Sequence, residues 1–260
     1  MDIAGWFKET LPWLRIDSLR CDQNNARDCI QTLSDSLRIK PVGYIEKVSR
    51  LVLSNSVYLP SWLRYQLNEV LIRLRNRYCR TKNLPDELKS AQALNRFIQS
   101  SCASLPDWNG KKSVICLSHD IDYSDCWNFL PELSDIERSY GLRSTINVLT
   151  HGDYRIKHSL LNDLVNEGFE IGLHGKRHDI ALAYRKKTDI RRAIHQSLEK
   201  LSLPVKGFRS PALSMSVQLL EVLEESGFSY DSSVPLLNPY GASTKFCYPF
   251  RFPKQAITEI

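Results

Sequence analysis

A chain of 260 residues, 42% hydrophobic and 25% charged, has room for one large α/β domain or a smaller domain with an extension, and its composition excludes global disorder. The net charge of +6 comes without the interleaved basic and aromatic residues of a nucleic-acid module, so nucleic acid is not an expected partner. No apolar run approaches the roughly 20 residues that cross a bilayer, and the N-terminus mixes acids and bases where a signal peptide has its apolar core, so a cytoplasmic chain is expected. The seven cysteines contain no CxxC pair, which argues against a zinc ribbon or a full disulfide framework and fits reduced thiols.

Residues 1 to 112 are expected to form a mostly helical N-terminal extension. Leu63, Leu67, Val70, Leu71 and Leu74 recur at helical spacing after a start at Pro60 and Ser61. The opposite side carries Arg64, Arg73, Arg75, Arg77 and Arg80, a face that is either solvated or set against an anionic surface. A second helix is expected from Pro85, with Asp86 and Glu87 in its first turn and Leu88, Ala91 and Ile98 along one side. Ser104 to Lys112, SLPDWNGKK, is a loop of turn-forming residues.

Beyond that loop the pattern changes. VICLSHDID, Val114 to Asp122, begins as an apolar strand-like run, in which Cys116 reads as a small buried hydrophobe, and ends in two acids one residue apart. Side chains alternate along a strand, so Asp120 and Asp122 should share one face while His119 and Ile121 take the other. Arg143 to Thr150, RSTINVLT, is a second strand; a helix through Leu160, Leu161, Leu164 and Val165 follows, stopped by Gly168, and FEIGLHG is a third strand. A helix from Thr188 to about Leu201 is broken by Pro204, and VKGFRSPA reads as a fourth strand. Ser214 is the expected N-cap of the helix bearing Leu219, Leu220 and Leu223, which ends at Gly227 before FSYDSSV. SYGLRSTI, NEGFEIGL and ESGFSYDS each set a glycine between a helix end and a strand start. Repeated βα units with such short connections imply parallel strands in a barrel or doubly wound sheet, with functional groups at the C-terminal strand ends.

Four polar clusters fall at those ends: Asp120 with Asp122, His174 with His178, Arg209, and Asp231. Singly, each has a structural explanation as a surface, capping or ion-paired residue. Jointly they fit metal-assisted chemistry. Histidines four apart converge on one ion if the segment between them makes a single helical turn, which Gly175 gives the backbone freedom to enter. Two imidazoles and one carboxylate leave open positions on a divalent ion, as a catalytic site requires. If Asp122 is the carboxylate ligand, Asp120 is free to act as a base toward water.

The order HDID, HGKRH, FRSPA, YDSS resembles the successive motifs of the polysaccharide deacetylases, the NodB-like group of carbohydrate esterases, in its HDxD variant. The resemblance covers Val114 to the C-terminus. It implies a distorted (β/α) barrel, zinc or a similar divalent ion as cofactor, and removal of N- or O-acetyl groups from a saccharide or polysaccharide. It makes Asp120 the general base, Asp122, His174 and His178 the metal ligands, and Arg209 the group that pairs with the base, with Pro211 shaping the groove beside it. A backbone N–H near Pro211 and Ala212 would help hold the oxyanion, and Asp231 would support the site. The chain is thus expected to divide into a helical extension, 1–112, and a deacetylase domain, 113–260.

The sequence departs from the family pattern in places. Lys176 and Arg177 between the histidines make the pocket more cationic, and RSPA lacks the aromatic that closes the third motif in many relatives. No histidine follows Asp231, so either the domain is truncated or its general acid comes from elsewhere, with His151 at the end of the NVLT strand a candidate. His119 is expected to pack behind the site, and His158 and His195 to lie exposed on helices. Two other readings stay open: hydrolysis of another non-peptide C–N bond, as in allantoinase-like relatives, and a non-catalytic glycan-binding or scaffold protein.

Overall fold

The computed structural model describes residues 113–235 without a break, together with 9, 15–16, 31, 44–55, 63, 66–67, 70, 73, 92, 95–96, 102–104, 108–111, 248–252 and 255–260. The chain divides into two compact units, Val114–Ser233 and a second made of Met1–Ser113 with Val234–Ile260. In the second unit Tyr44–Asn55 is a helix, Arg15–Ile16 pairs antiparallel with Cys102–Ser104, and Phe250–Arg251 pairs antiparallel with Thr258–Glu259. Leu63, Leu67, Val70 and Arg73 are helical; Leu63 and Leu67 are half-buried, whereas Val70 and Arg73 are exposed. Leu71, Leu74 and the other arginines of that helix lie outside the described residues, as do Pro85 to Ala91 and Ile98. Among the described residues no helix is long and apolar enough to cross a membrane.

The unit Val114–Ser233 alternates strand and helix. Its elements are β1 (Ser118–Ile121), α1 (Ser124–Ser139), β2 (Thr145–Leu149), α2 (His158–Asn166), β3 (Glu170–Gly175), α3 (Lys187–Leu201), β4 (Gly207–Phe208), α4 (Val217–Glu225) and β5 (Tyr230–Asp231). All five strands are parallel and lie side by side in chain order. The α/β class with a parallel sheet is therefore as the sequence indicates. Among the described residues of this unit no pairing joins β5 to β1, so the strands make a row rather than a closed ring.

The repeated junction glycines have one physical cause. Gly141, Gly168 and Gly227 all have positive φ, and each follows a helix that ends in the same two bonds. The glycine N–H reaches back three residues, as from Gly168 to Val165 (3.0 Å), and the next N–H reaches back five, as from Phe169 to Leu164 (3.0 Å). The same pair recurs at Gly141/Leu142 and Gly227/Phe228. This arrangement satisfies the last carbonyls of the helix and redirects the chain into the next strand. Phe169 and Phe228, the residues after two of these glycines, are then buried. The core under the sheet gathers Ile121, Ile146, Val148 and Ile171 from the strands with Trp127, Leu130, Leu161 and Leu164 from α1 and α2. Burying such side chains contributes roughly 1.5–3 kcal/mol each before entropy is counted.

Two local expectations are corrected. Sheet pairing begins only at Ser118, with the Thr145 N–H bonding the Leu117 carbonyl (3.0 Å). Val114 and Ile115, before the first paired residue, are 54% and 83% exposed, and Cys116 is exposed rather than buried. The helix α4 is capped by Ser216, whose hydroxyl accepts from the Leu219 N–H (3.1 Å), and not by Ser214. Ser214 is buried one turn earlier, bonded to the Ser210 hydroxyl and the Pro211 carbonyl.

Candidate metal centre and adjoining base

Strand alternation at the end of β1 sends Ile121 into the core and presents Asp120 and Asp122 on the opposite face. Their neighbours differ. Asp120 sits in a register row with Asn147 of β2 and Gly172 of β3. The Asn147 amide donates to Asp120 Oδ1 (2.9 Å), and Arg209 Nη1 approaches the same oxygen at 3.5 Å. Asp122, at the mouth of the strand, instead faces two imidazoles: His174 Nε2 lies 3.1 Å from Oδ1 and His178 Nε2 3.7 Å from Oδ2.

The histidines reach Asp122 by a route other than a helical turn. His174 is a residue of β3, two along from Gly172 and so on the same face. Gly175 then takes φ +106, a conformation that L side chains rarely adopt, and the chain bends through Lys176 and Arg177 to bring His178 back. Strand and bend place the two rings 5.6 Å apart between centroids.

Asp122, His174 and His178 present ligand atoms that all lie within 4.8 Å of one another. Their hydrogen bonding fits a divalent cation. His174 Nδ1 lies 2.7 Å from the Arg209 carbonyl, an acceptor, so Nδ1 carries the proton and Nε2 of the neutral ring presents a lone pair. That lone pair faces buried Asp122 Oδ1, which has no hydrogen-bond partner. Two acceptors 3.1 Å apart need a positive charge: a proton on Nε2 or a bound cation. The His174 contact, opposed by partial burial and reinforced by His178, holds the Asp122 carboxyl below its ordinary value. Burial in turn pushes His178 down, which keeps its imidazole neutral and available as a ligand.

Arg209 serves both sides of the site. Its backbone carbonyl orients His174, and its guanidinium, anchored by Nε to the Ser232 carbonyl (3.1 Å), faces Asp120. Asp231 is fully buried and accepts from the Ser233 hydroxyl (2.6 Å), which itself accepts from the Ser210 N–H (2.8 Å). Asp231 thereby braces the turn that follows Arg209. Pro211 in that turn lies against Gly175, 3.8 Å from where a Cβ would stand, and Ala212 and Leu213 both have φ +51. Consecutive left-handed non-glycine residues are strained and persist only where the surroundings hold them.

His151 stands apart from this constellation. It lines a cleft walled also by Thr150, Tyr154, Arg155, Arg177 and Lys200, and none of Asp120, Asp122, His174 or His178 lines it. His119 packs behind the sheet as expected, 2.8 Å from buried Glu137, and His158 and His195 are exposed on α2 and α3. Three residues escape the motif reading. Asn147 is 1% exposed in the middle of an apolar strand, and Gly172 leaves the space its amide occupies: a Cβ there would stand 2.2 Å from Asn147 Oδ1. An amide inside TINVL is the one signal that could have marked Asn147. Tyr154 stacks on Trp127 and donates its hydroxyl proton to the Ile121 carbonyl (2.8 Å) while accepting from the Leu149 N–H (3.0 Å), tying β1 to β2 beside the acids.

Comparison with known proteins bears on the same residues. The family model described as polysaccharide deacetylase matches residues 108–230. No curated protein matches. Among solved structures, the chain is similar to a polysaccharide deacetylase-type protein from Mycobacterium smegmatis, with 20% identity over 60% of each chain and a TM-score of 0.45. It is similar to a family 4 carbohydrate esterase from Streptomyces lividans, with 18% identity over 46% of this chain and 62% of that one and a TM-score of 0.41. It is also similar to a family 4 pseudoenzyme from Bacillus anthracis, with 13% identity over 45% of this chain and 41% of that one and a TM-score of 0.38. The chain spans less than two thirds of the length of each.

Proposed function

We propose, from the match of residues 108–230 to the polysaccharide deacetylase family model, that this chain is a metal-dependent hydrolase removing acetyl groups from a saccharide. The observation that carries the reading is the division of labour between two acids on one strand face. Asp122 meets both imidazoles, while Asp120 meets an amide and a guanidinium.

Asp122, His174 and His178 would hold the ion, and their mixed imidazole and carboxylate donors suit zinc among several first-row metals. When bound, such an ion supplies Lewis acidity toward a carbonyl and toward water. The proton is the task of Asp120. Asn147 and Arg209 both approach its Oδ1, which leaves Oδ2 to accept the proton of an attacking water. Arg209, with its guanidinium 3.5 Å from Oδ1, pairs with the carboxylate. Its backbone carbonyl fixes the tautomer of His174, so one residue orients both the base and a ligand. Asp231, through Ser233, steadies the turn at Pro211 and Ala212, which borders the His174 strand at Gly175.

The test is acetate release from N-acetylated and O-acetylated oligosaccharides with zinc supplied, together with zinc content, in the natural chain and in Asp120→Asn. The expected result is turnover in the first, and in the variant no turnover with zinc retained. Loss of zinc in Asp120→Asn, or undiminished turnover, overturns the assignment. Zinc binding by the natural chain without any acetate release favours a different C–N bond or a binding protein.

A further inference from the structure

The cleft beside His151 has no part in the reading above, and its lining is strongly basic. Arg155, Arg177 and Lys200 converge on it from three places in the chain: the segment after β2, the bend after β3 and the end of α3. Among the described residues no carboxylate lines it. None of Arg155, Arg177 and Lys200 lies within ion-pairing distance of an acid among the described residues. Three exposed cations around a hollow of about 370 Å³ make a positively charged rim that a bound anion would neutralise. Two are arginines, whose planar forks match carboxylate and phosphate oxygens. Burial, and after it the charges of Lys176, Arg177 and Lys200, hold the His151 imidazole below its ordinary value, so it offers the cleft a neutral polar edge.

The cleft and the candidate metal centre share a wall. Arg177 precedes His178 in the bend, and that bend is bonded to the end of β2: Thr150 N–H to the Gly175 carbonyl (3.2 Å) and His151 N–H to the Lys176 carbonyl (2.7 Å).

We propose that the cleft binds an oxyanion carried on the saccharide substrate, a carboxylate or a phosphate, so that the preferred substrates are acetylated anionic saccharides rather than neutral ones. This inference rests on the deacetylase reading, and its test is therefore binding, which can be read whether or not turnover occurs. Isothermal titration of the zinc-loaded chain compares a hyaluronan tetrasaccharide, which carries carboxylates, UDP-N-acetylglucosamine, which carries a pyrophosphate, and uncharged chitotetraose. The expected result is that at least one anionic probe binds about tenfold or more tightly than chitotetraose and loses that advantage as salt rises. Whichever anionic probe binds more tightly identifies the source of the oxyanion. Arg155→Ala combined with Lys200→Ala weakens that probe by about tenfold or more, the size of a lost charge-assisted contact. Arg192→Ala, which removes an exposed charge elsewhere on α3, leaves its binding unchanged. Equal binding of all three probes, or a double variant of unaltered thermal midpoint that keeps full affinity for the anionic probe, overturns the proposal. Absence of acetate release from every saccharide counts against the deacetylase reading alone.

Discussion

Asp120 and Asp122 are separated by one residue, yet their hydrogen-bond and ion-pair partners are different side chains. The mouth of β1 gives Asp122 two imidazoles, one of them 3% exposed. One strand step inward, Asp120 has a buried amide on one side and an arginine on the other. Identical carboxylates acquire different chemistry from what the neighbouring strands present at each register position: Asn147 beside Asp120, and His174 beyond Gly172. The sharpest way to break this contrast is to remove each acid separately. Asp122→Ala is expected to abolish both zinc retention and turnover, measured by metal analysis and acetate release, because two imidazoles alone make a poor site. Asp120→Asn should cost on the order of 10²–10⁴-fold in kcat, the usual worth of a general base, with zinc content intact. If both variants lose zinc alike, the two acids act as one ligand set and the contrast fails.

A smaller effect sharpens the comparison at the inner acid. Asn147→Ala removes a donor from Asp120 Oδ1 and leaves the imidazoles untouched, so kcat should fall about 10- to 100-fold with unchanged zinc affinity. Gly172→Ala should act in the same direction without deleting any polar group. Its Cβ would stand 2.2 Å from Asn147 Oδ1, which forces the amide to turn away from Asp120. Steady-state kinetics of both variants, beside their zinc affinities, separate a positioning role from a packing role. Normal kcat in a folded Gly172→Ala variant would exclude the amide from holding the base.

How much of this was legible in the sequence depends on the range of the interaction concerned. Alternation along one strand is local, and it placed Asp120 and Asp122 on one face with Ile121 and His119 behind. Glycines at helix ends are local too, and Gly141, Gly168 and Gly227 all occupy the left-handed position that the pattern implied. The grouping of His174 and His178 was legible as spacing, but its means was not: a strand and a bend replace the expected helical turn, because a single glycine with φ +106 redirects the chain. The amide inside TINVL was a signal, but what Asn147 and Gly172 do was not legible, because it lies in cross-strand register, which no single strand encodes. Cys116 misled for a related reason. Its apolar neighbours have strand composition, but strand pairing starts only at Ser118, where β2 begins alongside.

The smallest expected effect concerns what keeps the two acids in register with β2. Tyr154 donates to the Ile121 carbonyl, which lies between Asp120 and Asp122, and accepts from the Leu149 N–H. Burial drives its phenol far above the ordinary tyrosine range, so the hydroxyl keeps its proton at neutral pH and the bond to Ile121 persists there. Tyr154→Phe retains the stacking on Trp127, whose ring lies 4.9 Å away and nearly parallel, and removes only the hydroxyl. The Ile121 carbonyl and both the N–H and the carbonyl of Leu149 then lose a partner, and the N–H is one that water reaches poorly, so unfolding free energy should fall by about 1–3 kcal/mol in denaturant titrations. A loosened carbonyl between the acids lets each move relative to its own partners. Zinc affinity and kcat should therefore both decline by a few-fold, unlike the Asn147 variants, which spare zinc. A Tyr154→Phe variant that lost stability but kept both functions would confine the hydroxyl to holding β1 against β2, and would show that the acids keep their separate partners without it.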